Sequence, residues 1–250
     1  MRLERNDAKR CSEGADRMLK REVAQGRGAD AQAVPGAPPR WSAHAGSTAA
    51  VVGVAFVALV LTLQLMRADL DWVGAQLSLY LHGPYGLVLR TAYCVLAASM
   101  AWLALGLHAA LMPNARSRTV LGLFWAAALG LSAVSIGDSW MPTLAPNAAL
   151  MVHLLSAQAA FLCVIAGLLL QSWYFRNDPR WRSRFVPAFG LGLVAFAVLL
   201  FNVSVHTAPR GISQKTAIVL IVIWLTLVGS WLARAARSSH SRDNARVNQP

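Results

Sequence analysis

The sequence predicts an all-α polytopic membrane protein, a six-transmembrane-helix bundle with both termini cytoplasmic, and three observations carry that reading. First, 56% of the 250 residues are hydrophobic and only 14% charged, with a mean hydropathy of +0.46, which is too apolar for a domain whose surface faces water. Second, six stretches free of Asp, Glu, Lys and Arg are close to the roughly 20 residues that cross a hydrocarbon core of about 30 Å. They run Ala49–Met66, Thr91–Met112, Thr119–Gly137, Ala148–Phe175, Phe185–His206 and Thr216–Ala233. Third, runs such as VLIVIWLTLVGSWL lack the alternation of barrel strands. A continuous apolar run in lipid must satisfy its backbone polar groups within itself, as a helix.

Taken in order, residues 1–47 mix both charges and then turn to Ala, Gly and Pro (GRGADAQAVPGAPPR), the composition of a disordered basic cytoplasmic tail. No short apolar core beside a cleavage site marks a secretory signal, so the first span is expected to stay, and Met18 is a second candidate start. The six-helix domain is expected over residues 48–233, with a second disordered cytoplasmic tail over 234–250. After the first span, Leu70, Val73, Leu77 and Leu81 recur at helical spacing opposite Asp69, Gln76 and Ser78. That pattern predicts a short helix lying in the interface, ended by Gly83, Pro84 and Gly86. The connection between spans two and three, PNARSR, is minimal. Gly122, Ala126 and Gly130 repeat every four residues on the third span, a stripe read as packing within the chain rather than between chains. The stretch DSWMPTLAPN reads as a turn capping spans three and four. Pro187, Gly190 and Gly192 make the fifth span the one most broken by helix-weakening residues. Cys11, Cys94 and Cys163 show no disulfide or metal spacing and read as small packing residues.

The net charge of +12 is sorted by loop. Arg116 and Arg118, then Arg176, Arg180, Arg182 and Arg184, then Arg234, Arg237, Arg242 and Arg246, lie on the side of the basic tail, whereas only Arg67, Arg90, Arg210 and Lys215 lie in the other loops. Positive charge prefers the cytoplasm, which places both termini inside an inner, multi-pass cell membrane. In WYFRNDPRWRSRF, aromatics interleaved with arginines form an interfacial belt with anionic lipid contacts rather than a nucleic-acid surface. Membrane lipids are the expected partners and nucleic acid is not.

The spans hold no Asp, Glu, Lys or Arg, which argues against an ion-driven transporter. His108 and His153 fall at opposite depths, which argues against a haem held between them. The polar residues that share the outer side are Ser78, Asp138, His153, Asn202, His206 and Arg210. They are expected to bind a lipid headgroup or small solute, Arg210 and Lys215 pairing with an anion and His153 and Asn202 supplying hydrogen bonds. No cofactor is expected on this reading. Asp138, His153 and His206 have the donor types of an open zinc site, so the alternative is a zinc-dependent lipid hydrolase. A small-solute transporter using the broken fifth span is the third reading.

Two resemblances accompany these residues. Ser78 and His82 form S-x-x-x-H, similar to an early motif of the ceramidase-like and progestin-receptor-like membrane hydrolases, whose later H-x-x-x-H is missing here. More broadly, the chain from about Asp69 to Leu232 resembles the domain of unknown function 998, six-helix membrane proteins found mainly in archaea and bacteria. Ser78-Leu79 before Gly83 is similar to its Ser-x-Leu-Gly stretch. Pro142-Thr143 followed by HLLSAQAAF, His153 to Phe161, is similar to its Phe-Pro-x-Asp turn and the helix start after it. GISQK resembles its Gly-Leu-x-Gln/Glu-Arg-Ile approach to the last span. Met141 stands in place of the Phe, Leu144 or a neighbour in place of the Asp, and Lys215 in place of the Arg. The resemblance implies six spans and an outer-face cluster of Ser78, Pro142, His153 and Lys215, and it implies no activity.

Overall fold

The computed structural model describes residues 38–205 and 209–247, with side chains undescribed at 138–142, 144, 146–147 and 239–247. The described chain is helical throughout and contains no strand. Its main helices are α1 (Arg40–Met66), α2 (Gly86–Ala110), α3 (Arg118–Leu144), α4 (Pro146–Tyr174), α5 (Phe185–Ser204) and α6 (Arg210–Val247). Each contains a stretch long and apolar enough to cross a membrane. Successive helices pack side by side, and α1 closes against α6. The last helix also touches α2 and α4, so it runs through the middle of the bundle.

Small residues set the tightest crossing. A Cβ on Gly46 would meet Gly229 O at 2.5 Å and Ala233 N at 2.7 Å. The two backbones therefore touch, and the same contact explains why α1 starts at Arg40, nine residues ahead of the apolar run: Ser42, Ala45 and Gly46 are buried. The expected stripe on α3 divides. A Cβ on Gly130 would meet Ser156 O at 2.9 Å and Ala160 N at 3.1 Å on α4, whereas one on Gly122 would have nothing within 4 Å and Ala126 is exposed.

Four further expectations change. The DSWMPTLAPN turn is helical on both sides: α3 runs to Leu144 and α4 starts at Pro146, leaving Ala145 alone as the connection. Pro146 takes the first helical turn, where its missing N–H costs nothing. The fifth span is unbroken, because Pro187 also sits in a first turn and Gly192 lies against α4, where a Cβ on it would meet the Leu169 side chain at 3.2 Å. The interfacial helix is absent. Residues 68–74 form turns and Leu77–Leu81 a 3-10 helix whose Leu77, Tyr80 and Leu81 are buried, because Asp71 bonds the Val73 and Gly74 N–H groups (3.1 and 2.8 Å) and diverts the chain from a helix. Lastly, α6 continues as helix to Val247, through most of the expected second tail.

One end of the bundle, the arginine end, is tied by a buried carboxylate. Asp178, fully buried, accepts from Met112 N (3.1 Å), Arg180 N (2.9 Å) and the Arg180 guanidinium (3.0 and 3.2 Å). Arg180 also donates to Ala110 O (2.8 Å), at the end of α2. The neighbouring arginines lie over the protein's own aromatics: Arg176 is 4.3 Å from the Trp173 ring and Arg184 is 4.6 Å from the Trp181 ring.

Candidate functional site

The opposite end, the loop end, is held by the residues of GISQK. Gly211 lies so close to the 73–75 backbone that a Cβ would meet Val73 O at 2.5 Å and Ala75 O at 2.6 Å. Ile212 N donates to Val73 O (2.9 Å), Leu77 N donates to Gln214 Oε1 (3.1 Å), and Lys215 Nζ donates to Trp72 O (2.8 Å). Lys215 thus clamps a loop. Gly211→Ala is expected to lift residues 72–77 off α6, seen as faster proteolysis of the 67–85 loop at unchanged helix content.

Beneath the loop, Lys215 and Arg67 lie 5.0 and 5.8 Å from the centre of the buried Tyr80 ring. Arg67 spends its fork on both oxygens of Asp69 (2.8 Å each) and its remaining nitrogen on His82 O (2.7 Å) and Pro84 O (3.3 Å). That bond to Arg67 holds the Asp69 carboxyl below its usual range. Burial pushes the Tyr80 phenol up, and its hydroxyl has no hydrogen-bond partner among the described residues.

A cavity of about 100 Å³ runs down from this loop between the helices. Two helices shape it with the same spacing. His153, Ala157, Ala160, Phe161 and Val164 line it from α4, and Gln214, Ile218, Ile221, Val222 and Leu225 from α6. Offsets of 4, 7, 8 and 11 residues keep one helix face turned inward. In both sets the polar residue stands at the loop end and all that follow are apolar. Eleven residues at 1.5 Å each make the slot about 16 Å deep, roughly half of a hydrocarbon core. Ser78 lines the same cavity, and among the described residues no Lys or Arg does. With Gln214 Oε1 engaged by Leu77 N, its Nε2 remains to donate. Among the described residues the lining therefore holds no Asp, Glu, Lys or Arg, and it is hydrogen-bonding at the loop end and apolar below.

Of the six expected site residues, the structure brings Ser78 and His153 to this cavity. Asn202 is elsewhere: its Oδ1 accepts from Ser213 Oγ (2.6 Å), tying α5 to α6. Arg210 is exposed at the start of α6, and these two do not join the cavity lining. The reason is register, because α5 contributes nothing to the cavity wall and Arg210 precedes the face that does. His206 and the side chain of Asp138 lie outside the described residues, as does the side chain of Pro142. No three His, Cys, Asp or Glu side chains gather among the described residues, and two of the three expected zinc ligands are not among them. The residue missed in the sequence is Gln214. Its signal was present: like His153, it heads an apolar face with the same offsets.

The model of the family described as "Protein of unknown function (DUF998)" matches residues 50–231, well over half of the chain. No curated protein and no solved structure matches it.

Proposed function

The chain belongs to the DUF998 family of proteins of unknown function, and from that premise we propose that this multi-pass membrane protein holds an acyl-chain amphiphile, tail down, in the cavity between α2, α3, α4 and α6. The observation that carries this is the matched pair of faces on α4 and α6, each polar at the loop end and apolar for about 16 Å below. An apolar pocket with a few polar groups at one end is the usual form of a small-ligand site. Ser78, His153 and Gln214 Nε2 offer donors to the oxygens of a head such as an ester or amide carbonyl. The absence of Lys and Arg from the described lining favours an uncharged head. The basic residues at the arginine end favour that side as cytoplasmic, in an inner membrane of a prokaryotic cell. Both termini are then cytoplasmic and the ligand's head lies toward the outer surface. The partner on this reading is a membrane lipid and not a nucleic acid.

Native mass spectrometry of the protein released from gentle detergent tests it. The wild type is expected to retain an amphiphile of defined mass. Ala157→Phe, which fills the slot below His153, is expected to lose it at least tenfold. His153→Ala is expected to weaken retention about fivefold, the ~1 kcal/mol of one hydrogen bond. Val186→Phe on the lipid face, at a site 72% exposed, leaves retention unchanged. Equal retention in Ala157→Phe and wild type removes the proposal.

A further inference from the structure

On the outward side of α1 and α2 lies a second space, a cleft of about 480 Å³ on the same measure as the cavity. It runs from Val52 to Leu59 on α1 and from Leu87 to Val95 on α2, about 10 to 12 Å of helix, and it begins at the loop end because α2 starts at Gly86. Its walls face away from the bundle: Leu87 is 74% exposed, and Val88 and Val95 nearly half. Its one described hydroxyl, Thr91 Oγ1, donates to Leu87 O of its own helix (2.9 Å), so the cleft's described side chains offer no free hydrogen-bond donor. In a chain surrounded by lipid, such a cleft takes hydrocarbon.

The two spaces meet at one residue. Phe56 lines both the cleft and the cavity, and no other described lining residue does. Its side chain is 4% exposed, and its ring lies 5.7 Å from that of Tyr93, tilted by 34°. Tyr93 lines the cavity alone. The cleft lining includes two small residues, Ala55 and Ala92, among the larger Val52, Leu59, Leu87, Val88 and Val95, and the open cleft leaves room for the ring to turn outward.

We propose that the α1/α2 cleft is an acyl-chain site open to the adjacent leaflet, and that an amphiphile passes from it into the cavity when the Phe56 ring swings aside. This rests on the amphiphile reading above and adds the path by which the tail arrives: sideways, from lipid, without its head or tail crossing water. Phe56 is a positioning residue on this path, separating the two spaces when the cavity is closed.

The test uses the full chain with Cys11, Cys94 and Cys163 replaced by Ala and with Ala157→Cys placed in the cavity, reconstituted in phosphatidylcholine vesicles. Labelling is timed with N-phenylmaleimide, which partitions into lipid, and with a charged thiosulfonate, which does not. Phe56→Ala is expected to speed the apolar reagent at least tenfold, and Ala92→Phe, which fills the cleft, to slow it by a similar factor. Phe56→Leu, a milder change to the packing, is expected to fall between wild type and Phe56→Ala. A rate indifferent to both Phe56→Ala and Ala92→Phe overturns the path, and so does a charged reagent that labels as fast as the apolar one. Retention of amphiphile by mass spectrometry separates the two proposals. Retained lipid with indifferent labelling removes the path alone. Labelling that depends on Phe56 in a protein that retains no lipid removes the ligand and keeps the path.

Discussion

Gly46→Val is expected to abolish most of the folded protein, whereas Gly122→Val leaves it intact. At Gly46 the new carbon would meet backbone, Gly229 O at 2.5 Å and Ala233 N at 2.7 Å, and backbone cannot turn aside as a side chain can. The only relief is to part α1 from α6, and α6 is the helix that runs through the middle of the bundle. Packing between helices in lipid depends on such close approach, since hydrocarbon supplies no hydrophobic drive to bring them together. The cost is about 3 kcal/mol, the upper end for overpacking, and Gly229→Val should cost as much for the same contact seen from the other side. Gly122 has nothing within 4 Å, so its substitution should stay within about 0.5 kcal/mol. Melting temperature and the monodisperse fraction in detergent measure both. Equal melting of the Gly46 and Gly122 variants would contradict the crossing.

Asp178→Ala is the second large effect. The carboxylate is fully buried and satisfies the N–H groups of Met112 and Arg180 together with the Arg180 guanidinium. Its removal leaves those donors unmet and a cation partly buried without its partner, a loss of about 3 to 5 kcal/mol. Asp178→Asn keeps an acceptor and should lose roughly half as much. The same site makes stability pH-dependent. Burial by itself would raise the Asp178 pKa, but the hydrogen bonds from Arg180 and from the Met112 and Arg180 N–H groups outweigh it and hold the folded value below 3.8. A depressed carboxylate adds stability above its unfolded pKa and loses it as pH falls through the folded one. Melting temperature should therefore drop below about pH 4 in the wild type, and the drop should be shallower in Asp178→Asn. Parallel curves for the two proteins would assign the pH dependence to another carboxylate.

The cavity was half legible in the sequence. His153 stood out as an imidazole between apolar runs, and Ser78 as part of a polar segment. Asn202 and Arg210 stood out equally and do not join the cavity lining, because membership depends on which way each helix face turns. All sides of these helices are apolar, so no amphipathic pattern fixes their rotation about their own axes. Gln214 was hidden for the same reason: its value depends on α4 and α6 presenting like faces to one space. Lys215 was visible as one of four basic residues on the poorer side, but its role as a loop clamp needed the Trp72 carbonyl, distant in sequence. The break expected at Pro142 and Pro146 was a reading of composition. A helix can restart one residue after another ends when the proline that opens it, here Pro146, falls in the first turn.

What the sequence by itself determined is the count and kind of the elements: six helices able to span a membrane, bounded by charged segments. The physical reason is local, since hydrocarbon rejects charge and unpaired backbone along every stretch of about 20 residues, whatever its neighbours are. What only the tertiary structure decided is which residues come together: Gly46 with Gly229, Asp178 with Met112, His153, Gln214 and Ser78 around one cavity, and Phe56 on both cleft and cavity. Those meetings depend on packing small residues and turning faces across helices far apart in the chain, and a uniformly apolar sequence carries almost no record of that rotation.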